Sequence, residues 1–329
     1  MKILNFLIIF FVFTALLLST QTAHAQNIDF GVYPPVFQIQ TTPPSSIKAP
    51  LTIQNYSDSS INLIVSLKPF TAAPSENGDV QFLSDLSAFP DPTLLGKVNI
   101  LEGDNPIQTL TLAPKQKKNL TLEIALPKDQ AKGDYYMSLV FTSNAQTPNG
   151  NIAQAQASIA SNILLSIGPL GPTQGVLDNF FAPLFTTQGP VPFTVRVKNT
   201  SDHYITPKGD IVIKNMFGQA VGKVNLLPVN ILSSTMRIIP DSVQSNTNSK
   251  DYAKIAAVVA NNEFPVAVWP EKFLVGPYTA TITLALSNTG PLFKRSIVFF
   301  AFPLEYIIGL IIIIIMIVFI VLRVRKKIS

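Results

Sequence analysis

The chain of 329 residues has no cysteine and two histidines, and only 13% of it is charged. Without cysteine there is no disulfide framework, zinc ribbon, iron–sulfur cluster or thiol catalysis. Soluble domains carry about a quarter charged residues. At half that level, with 47% hydrophobic residues, the sequence is neither an ordinary cytosolic globule nor a charged disordered chain. The P-loop, the dinucleotide fingerprint, the EF-hand loop and the Gly-x-Ser-x-Gly elbow are all missing. The acids are scattered singly, so no set of zinc ligands stands out, and nothing points to a pair of catalytic carboxylates. A Ser-His-Asp triad would have to use His203, because His24 lies in a segment read below as removed. His203 sits in Ser201-Asp202-His203-Tyr204, which reads as a surface turn. The chain therefore reads as a non-enzyme with no catalytic, cofactor-binding or metal site; its binding residues are unknown.

Two apolar runs set the topology. Met1-Lys2 precedes an apolar core from Phe6 to Leu18 and the small-x-small site Ala23-His24-Ala25. These are the parts of a secretory signal peptide, residues 1–25; the other reading is an uncleaved anchor. Near the other end Tyr306–Leu322 carries no charge and contains five consecutive isoleucines, Ile311–Ile315. Ile297–Leu304 is apolar too, so a transmembrane helix is expected over 300–322, with Glu305 near its outer end. Arg323, Arg325, Lys326 and Lys327 follow, and by the positive-inside rule the tail 323–329 is cytoplasmic. The expected product is a single-pass protein of the cell membrane with its N-terminus and bulk outside.

The net charge of +5 follows from that topology. Lys2 leaves with the signal and four basic residues lie in the tail, so nineteen of the 24 remain, against eighteen of the 19 acids once Glu305 is set aside. An exterior of about +1 offers no basic face for nucleic acid.

Residues 26–302 alternate apolar and polar positions. Leu51–Ile53, Ile61–Leu67, Leu110–Leu112, Leu120–Ile124, Phe193–Val197 and Tyr278–Leu284 all show a period of two, the mark of half-buried antiparallel strands. The turns between them use Asn, Asp and Gly, as in Glu76-Asn77-Gly78-Asp79. The pattern also repeats. Leu51-Thr52-Ile53-Gln54-Asn55-Tyr56-Ser57-Asp58 matches Val195-Arg196-Val197-Lys198-Asn199-Thr200-Ser201-Asp202, and each copy later carries Gly-x-Tyr, at Gly133-Asp134-Tyr135 and Gly276-Pro277-Tyr278. Asn-x-Ser-Asp reads as the turn closing an early strand, and Gly-x-Tyr as a corner whose tyrosine hydrogen-bonds back to a loop. The expected fold is all-β: two tandem immunoglobulin-like β-sandwiches, 26–168 and 176–299, joined by the linker 169–175. A polar insert, Ser242–Lys250, precedes a stretch whose Tyr252, Ile255, Ala256 and Val259 have helical spacing; a helix, a loop or a strand fits it.

Three Asn-x-Ser/Thr sequons start at Asn55, Asn119 and Asn199. Secreted eukaryotic sandwiches are often stapled by disulfides, so the cysteine-free chain reads as bacterial and the sequons as turn chemistry. Trp269, the only tryptophan, reads as a strand residue of the core or edge.

The ectodomain resembles the WxL-interacting cell-surface proteins of Gram-positive bacteria. The resemblance runs through Phe30-Gly31-Val32-Tyr33-Pro34-Pro35, the Asn55 turn, Asn77-Gly78-Asp79-Val80-Gln81-Phe82, Leu112-Ala113-Pro114-Lys115, Leu126-Pro127-Lys128 and Gly133-Asp134-Tyr135-Tyr136. It implies a peptidoglycan-binding immunoglobulin-like module on a membrane anchor, with wall polymer or cell-surface proteins as partners. The alternative is an accessory subunit of a membrane complex. In either case a sheet edge can recruit a partner strand.

Overall fold

Alternation of apolar and polar residues produces strands with one buried face. In the computed structural model of the protein, which describes residues 28–143, 156–243, 256 and 266–328, every alternating stretch named above lies in a strand. The signal segment 1–25 lies outside the described residues, as does the stretch around Tyr252, Ile255 and Val259, apart from a helical Ala256.

The first half contains β1 (Phe30–Tyr33), β2 (Val36–Thr41), β3 (Ser45–Asn55), β4 (Ile61–Ala72), β5 (Val80–Phe82), β6 (Val98–Glu102), β7 (Asn105–Pro106), β8 (Thr109–Leu112), β9 (Lys117–Leu126), β10 (Gly133–Ser143) and β11 (Ser158–Ile167). One sheet has the order β1-β3-β9-β6-β7, and the other β2-β11-β10-β4-β5 with β8 also on β4. Their facing residues, among them Ile53, Leu122, Ile124, Met137 and Phe141, form one buried cluster.

The second half contains β12 (Gly175–Phe181), β13 (Phe185–Thr186), β14 (Val191–Asn199), β15 (Lys208–Lys214), β16 (Ala220–Asn225), β17 (Met236–Ile238), β18 (Ala267–Trp269), β19 (Gly276–Ala285) and β20 (Leu292–Ala301). Its sheets are β12-β14-β17, with β18 on β14, and β13-β20-β19-β15-β16. A separate buried cluster, including Phe193, Val195, Ile211, Ile282 and Phe299, lies between them. Residues 168–174 connect the halves, and Gly175 already belongs to β12.

The two halves share one wiring. β1 and β12 pair antiparallel with β3 and β14. The next strands, β2 and β13, change sheets and run parallel to the last strands, β11 and β20. The closing hairpins share a register: Gly133 and Tyr135 face Ile167 and Leu165, while Gly276 and Tyr278 face Ala301 and Phe299.

Beyond β20, helix α1 (Leu304–Ile328) follows Phe302-Pro303. The helix expected from residue 300 thus starts at Leu304. Ile297–Ala301 is apolar because it is strand, with Phe299 and Ala301 buried in the sandwich. At the far end the helix continues through the basic tail to Ile328, so the boundary at 322/323 is one of composition only.

Candidate functional site

The repeated turns form the same network twice. Asn55 ends β3 and Asn199 ends β14, and both are fully buried. Asn55 Nδ2 donates to the carbonyls of Ser59, Leu112 and Ala113 at 2.8, 3.4 and 2.9 Å, and its Oδ1 accepts from Ser57 N at 2.8 Å. Asn199 Nδ2 donates to His203, Ile231 and Leu232 at 2.8, 3.0 and 3.0 Å, and its Oδ1 accepts from Ser201 N at 2.8 Å. The serine hydroxyls each exchange two bonds with an incoming strand, Ser57 with Asp29 and Ser201 with Gln174. One of the three carbonyls each asparagine captures lies in its own turn, Ser59 or His203; the other two belong to a further turn that holds a residue with left-handed backbone, Lys115 at φ 58° in the first half and Ser234 at φ 60° in the second. The asparagines therefore serve as buried clamps. With both amides in use, the sequons at Asn55 and Asn199 cannot carry glycans in the folded chain, whereas Asn119 is exposed.

The tyrosine corners form as expected. Tyr135 Oη donates to Ala131 O at 3.0 Å, and Tyr278 Oη accepts from Val275 N at 3.2 Å. Trp269 is 4% exposed and lies edge-on to Tyr278 and Phe299 at 5.6 and 6.4 Å. His203 is corrected: it is 4% exposed, not a surface residue. Its Nδ1 lies 2.8 Å from Asp202 Oδ1 and its Nε2 3.4 Å from Thr173 Oγ1. The ring thus ties the connecting segment 168–174 to the second half. Among the described residues no group of three His, Cys, Asp or Glu side chains gathers at metal-binding distance.

Two of the concave places bear on binding between or within the halves. The first is the seam between the halves. There the β4–β5 loop reaches β17: Glu76 O accepts from Ile238 N at 2.8 Å, and the Glu76 carboxylate is 3.5 Å from Arg196 Nη1. Gly78, at φ +88°, lies against the Arg237 guanidinium so closely that a Cβ would fall inside it. Arg237 Nη1 donates to Asn230 O at 2.7 Å. Burial lowers the Arg237 pKa, and the charge of Asp79 opposes this. Asp134 accepts from Tyr204 N at 2.7 Å and from the Tyr136 hydroxyl at 2.8 Å, and Ser233 N donates to that hydroxyl at 3.2 Å. Burial raises the Tyr136 phenol far above its usual range, and the Asp134 carboxylate adds to the effect; the same two causes push Tyr204 up to about 12. Phe70, Leu164 and Leu232 close the apolar side. The remaining cavity is about 80 Å³, room for a few waters and well below the ~300 Å³ at which small-molecule pockets begin. The seam is a joint.

The second place is a groove of about 620 Å³ in the first half, lined by Ser66, Leu67, Val98, Asn99, Gln108 and Leu139 among others, none of them charged. It lies between two open strand edges. On β4, the β8 side ends at Val65, whose N donates to Gln108 O at 2.8 Å, and pairing resumes where Leu83 N donates to Pro69 O at 2.9 Å. Among the described residues no strand pairs this edge of β4 at Ser66–Lys68. Alternation of the ladder points the Leu67 N–H and C=O into that gap. On β6, Ile100 O accepts from Ile107 N at 2.8 Å, and the same alternation directs Val98 outward. The sequence gives no advance sign of this groove, since a missing stretch of pairing has no residue signature.

No protein-family model matches the sequence, and no curated protein matches it. Similar solved structures include the class 5 fimbriae chaperone CfaA, at 11% identity and TM-score 0.35 over 84% of this chain and 100% of that one. The Escherichia coli chaperone DraB is similar at 9% identity and TM-score 0.32 over 82% and 96%. A PapD-like domain of human CEP192 is similar at 10% identity and TM-score 0.27 over 45% and 96%. Likeness at this level says nothing of what this chain binds.

Proposed function

We propose that the protein is a non-catalytic binding protein of the bacterial cell envelope. In this reading two immunoglobulin-like domains stand outside, α1 crosses the membrane and the basic end stays in the cytoplasm. Leu304–Arg323 is 20 residues long with a mean hydropathy of 3.1; at 1.5 Å per residue this matches a hydrocarbon core of about 30 Å. Ile311–Ile315 are all about half exposed, so no described residue packs over them.

The observation that carries the binding role is the uncharged groove between the open edges of β4 and β6. Main-chain groups at Leu67 and Val98 suit an extended segment of a surface protein, which would add as a strand. Wall polymer is the second reading, supported by the hydroxyl and amides of Ser66, Asn99 and Gln108 and by the resemblance to the WxL-interacting proteins. The test is co-sedimentation of the full chain, in nanodiscs, with purified peptidoglycan and with purified surface proteins, at low and high salt. Binding to one of them should persist in salt, because the groove carries no charge, and should fall at least tenfold in Asn99→Arg. Binding that salt abolishes, or that Asn99→Arg leaves intact, would exclude the groove.

A further inference from the structure

We propose that the end of the second half from which α1 leaves rests in the headgroup layer of the bilayer, held there by a collar of apolar loop residues. The proposal rests on reading α1 as a membrane span.

Strand register identifies which loops share that end. β20 runs toward α1, and its last residue, Ala301, faces Gly276, the first residue of β19. The loop before β19, with Phe273 and Val275, therefore lies at this end. β13 lies beside the end of β20, with Phe185 opposite Phe300. β15 ends with Lys214 opposite Thr279, so the turn Asn215–Gln219 lies there too. A Cβ on Gly276 would come within 2.7 Å of Met216 Cε, which brings that turn against the start of β19.

The residues these loops present are apolar and exposed. Phe185, Met216, Phe217, Phe273, Val275 and Phe302 are 71, 55, 78, 58, 52 and 56% exposed. Single exposed apolar residues are ordinary, but a contiguous set marks an interaction surface. This set is continuous with the helix: Phe273 packs edge-on to Tyr306 at 5.4 Å, and an apolar cleft of about 430 Å³ runs from Phe185 and Gly276 to Phe302 and Leu304. The opposite end of the same sandwich presents the polar loop Ser287-Asn288-Thr289-Gly290 and, from the Asn199 turn, Thr200 and Asp202.

Geometry fixes the occupant as lipid. Phe302 N donates to Thr186 O at 2.8 Å, so the exit is fastened to the sandwich, and only Pro303 separates it from α1. Two residues span at most about 7 Å, close to the ~5–7 Å depth of the headgroup layer on each side of the hydrocarbon core. Once α1 is inserted, the collar cannot stand clear of the interface. Residues 184–190 and 215–219 carry no charge, and aromatic rings are favoured at this depth. Lys214 and Lys272 flank the patch together with Glu271, and the two lysines can extend to phosphate groups.

The cysteine-free chain makes the test direct. Phe217→Cys, Phe273→Cys, Asn288→Cys and Met316→Cys each create one labelling site. The full chain is reconstituted in phosphatidylcholine–phosphatidylglycerol vesicles, labelled with NBD and quenched by lipid spin-labelled near the top of the acyl chain for positions 217, 273 and 288 and near its end for position 316. Labels at 217 and 273 should be quenched several-fold more than the label at 288. If they match 288 while the label at 316 is quenched, the collar is overturned and the span stands. If the label at 316 escapes quenching, the span reading fails and takes the collar with it.

Discussion

The β4–β5 loop of the first half and the β15–β16 turn of the second occupy the same place in one wiring plan and meet different surroundings. The first is polar, Ser75-Glu76-Asn77-Gly78-Asp79, and docks on β17 through Glu76 and Gly78. The second, Asn215-Met216-Phe217-Gly218-Gln219, touches its own sandwich at Gly276 and leaves Phe217 78% exposed. The loops leading to the equivalent glycines diverge likewise: Pro127-Lys128-Asp129-Gln130-Ala131-Lys132 before Gly133, and Pro270-Glu271-Lys272-Phe273-Leu274-Val275 before Gly276. The shared plan dictates the backbone and the clamps. What lies beyond each end, protein in one half and lipid in our reading of the other, dictates the surface.

The largest expected effect tests the shared plan. Asn55→Ala and Asn199→Ala each remove bonds to three carbonyls and to a buried serine N–H; some of these carbonyls keep a second donor, such as Ser60 Oγ at Leu112 and Ile205 N at Ile231, so each should cost about 2 kcal/mol in denaturant unfolding of the full chain in detergent. Similar losses support equivalence; a loss in one half alone breaks it. The next comparison separates the loops. Gly78→Ala forces a Cβ into left-handed backbone and into Arg237, whereas Gly218→Ala meets the same strain at φ +76° in open space. About 1 kcal/mol is expected for Gly218→Ala and more for Gly78→Ala, and only Gly78→Ala should speed proteolysis of residues 168–174. Tyr135→Phe should cost about 1 kcal/mol, and Tyr278→Phe, with its longer bond, about half that; equal costs would mean that the two corners are equally tight. The smallest effect is with pH. Asp85 and Asp91 in the first half are held below 3.8, chiefly by the Ser87 and Thr93 hydroxyls. A lowered carboxylate stabilises the fold above its unfolded pKa, and the contribution fades as pH falls from about 4 through the folded value. Acid should therefore loosen residues 85–97 before the second half, as read by hydrogen exchange.

Much of this fold was legible in the sequence because alternation and turn chemistry are local. The period-two stretches became strands, and Asn-x-Ser-Asp marked both clamps. Other features depend on contacts between distant residues. Lys115 and Ser234 hold equivalent left-handed positions, yet the two residue types have nothing in common. His203 looked like a surface residue because its turn is polar, and its burial comes from the connecting segment folding over it. Ile297–Ala301 looked like membrane because strand and span are equally apolar there, and only pairing with β19 decides. The groove in the first half arises from a gap between β8 and β5, which no single residue announces.

The most direct test is to replace Asn77 and, separately, Phe217 with a photo-crosslinking phenylalanine analogue in the full chain in lipid nanodiscs, and to identify what each captures. The account predicts that position 77 captures the second half around residues 236–238, and that position 217 captures lipid. Capture of protein at 217, or of lipid at 77, would contradict it.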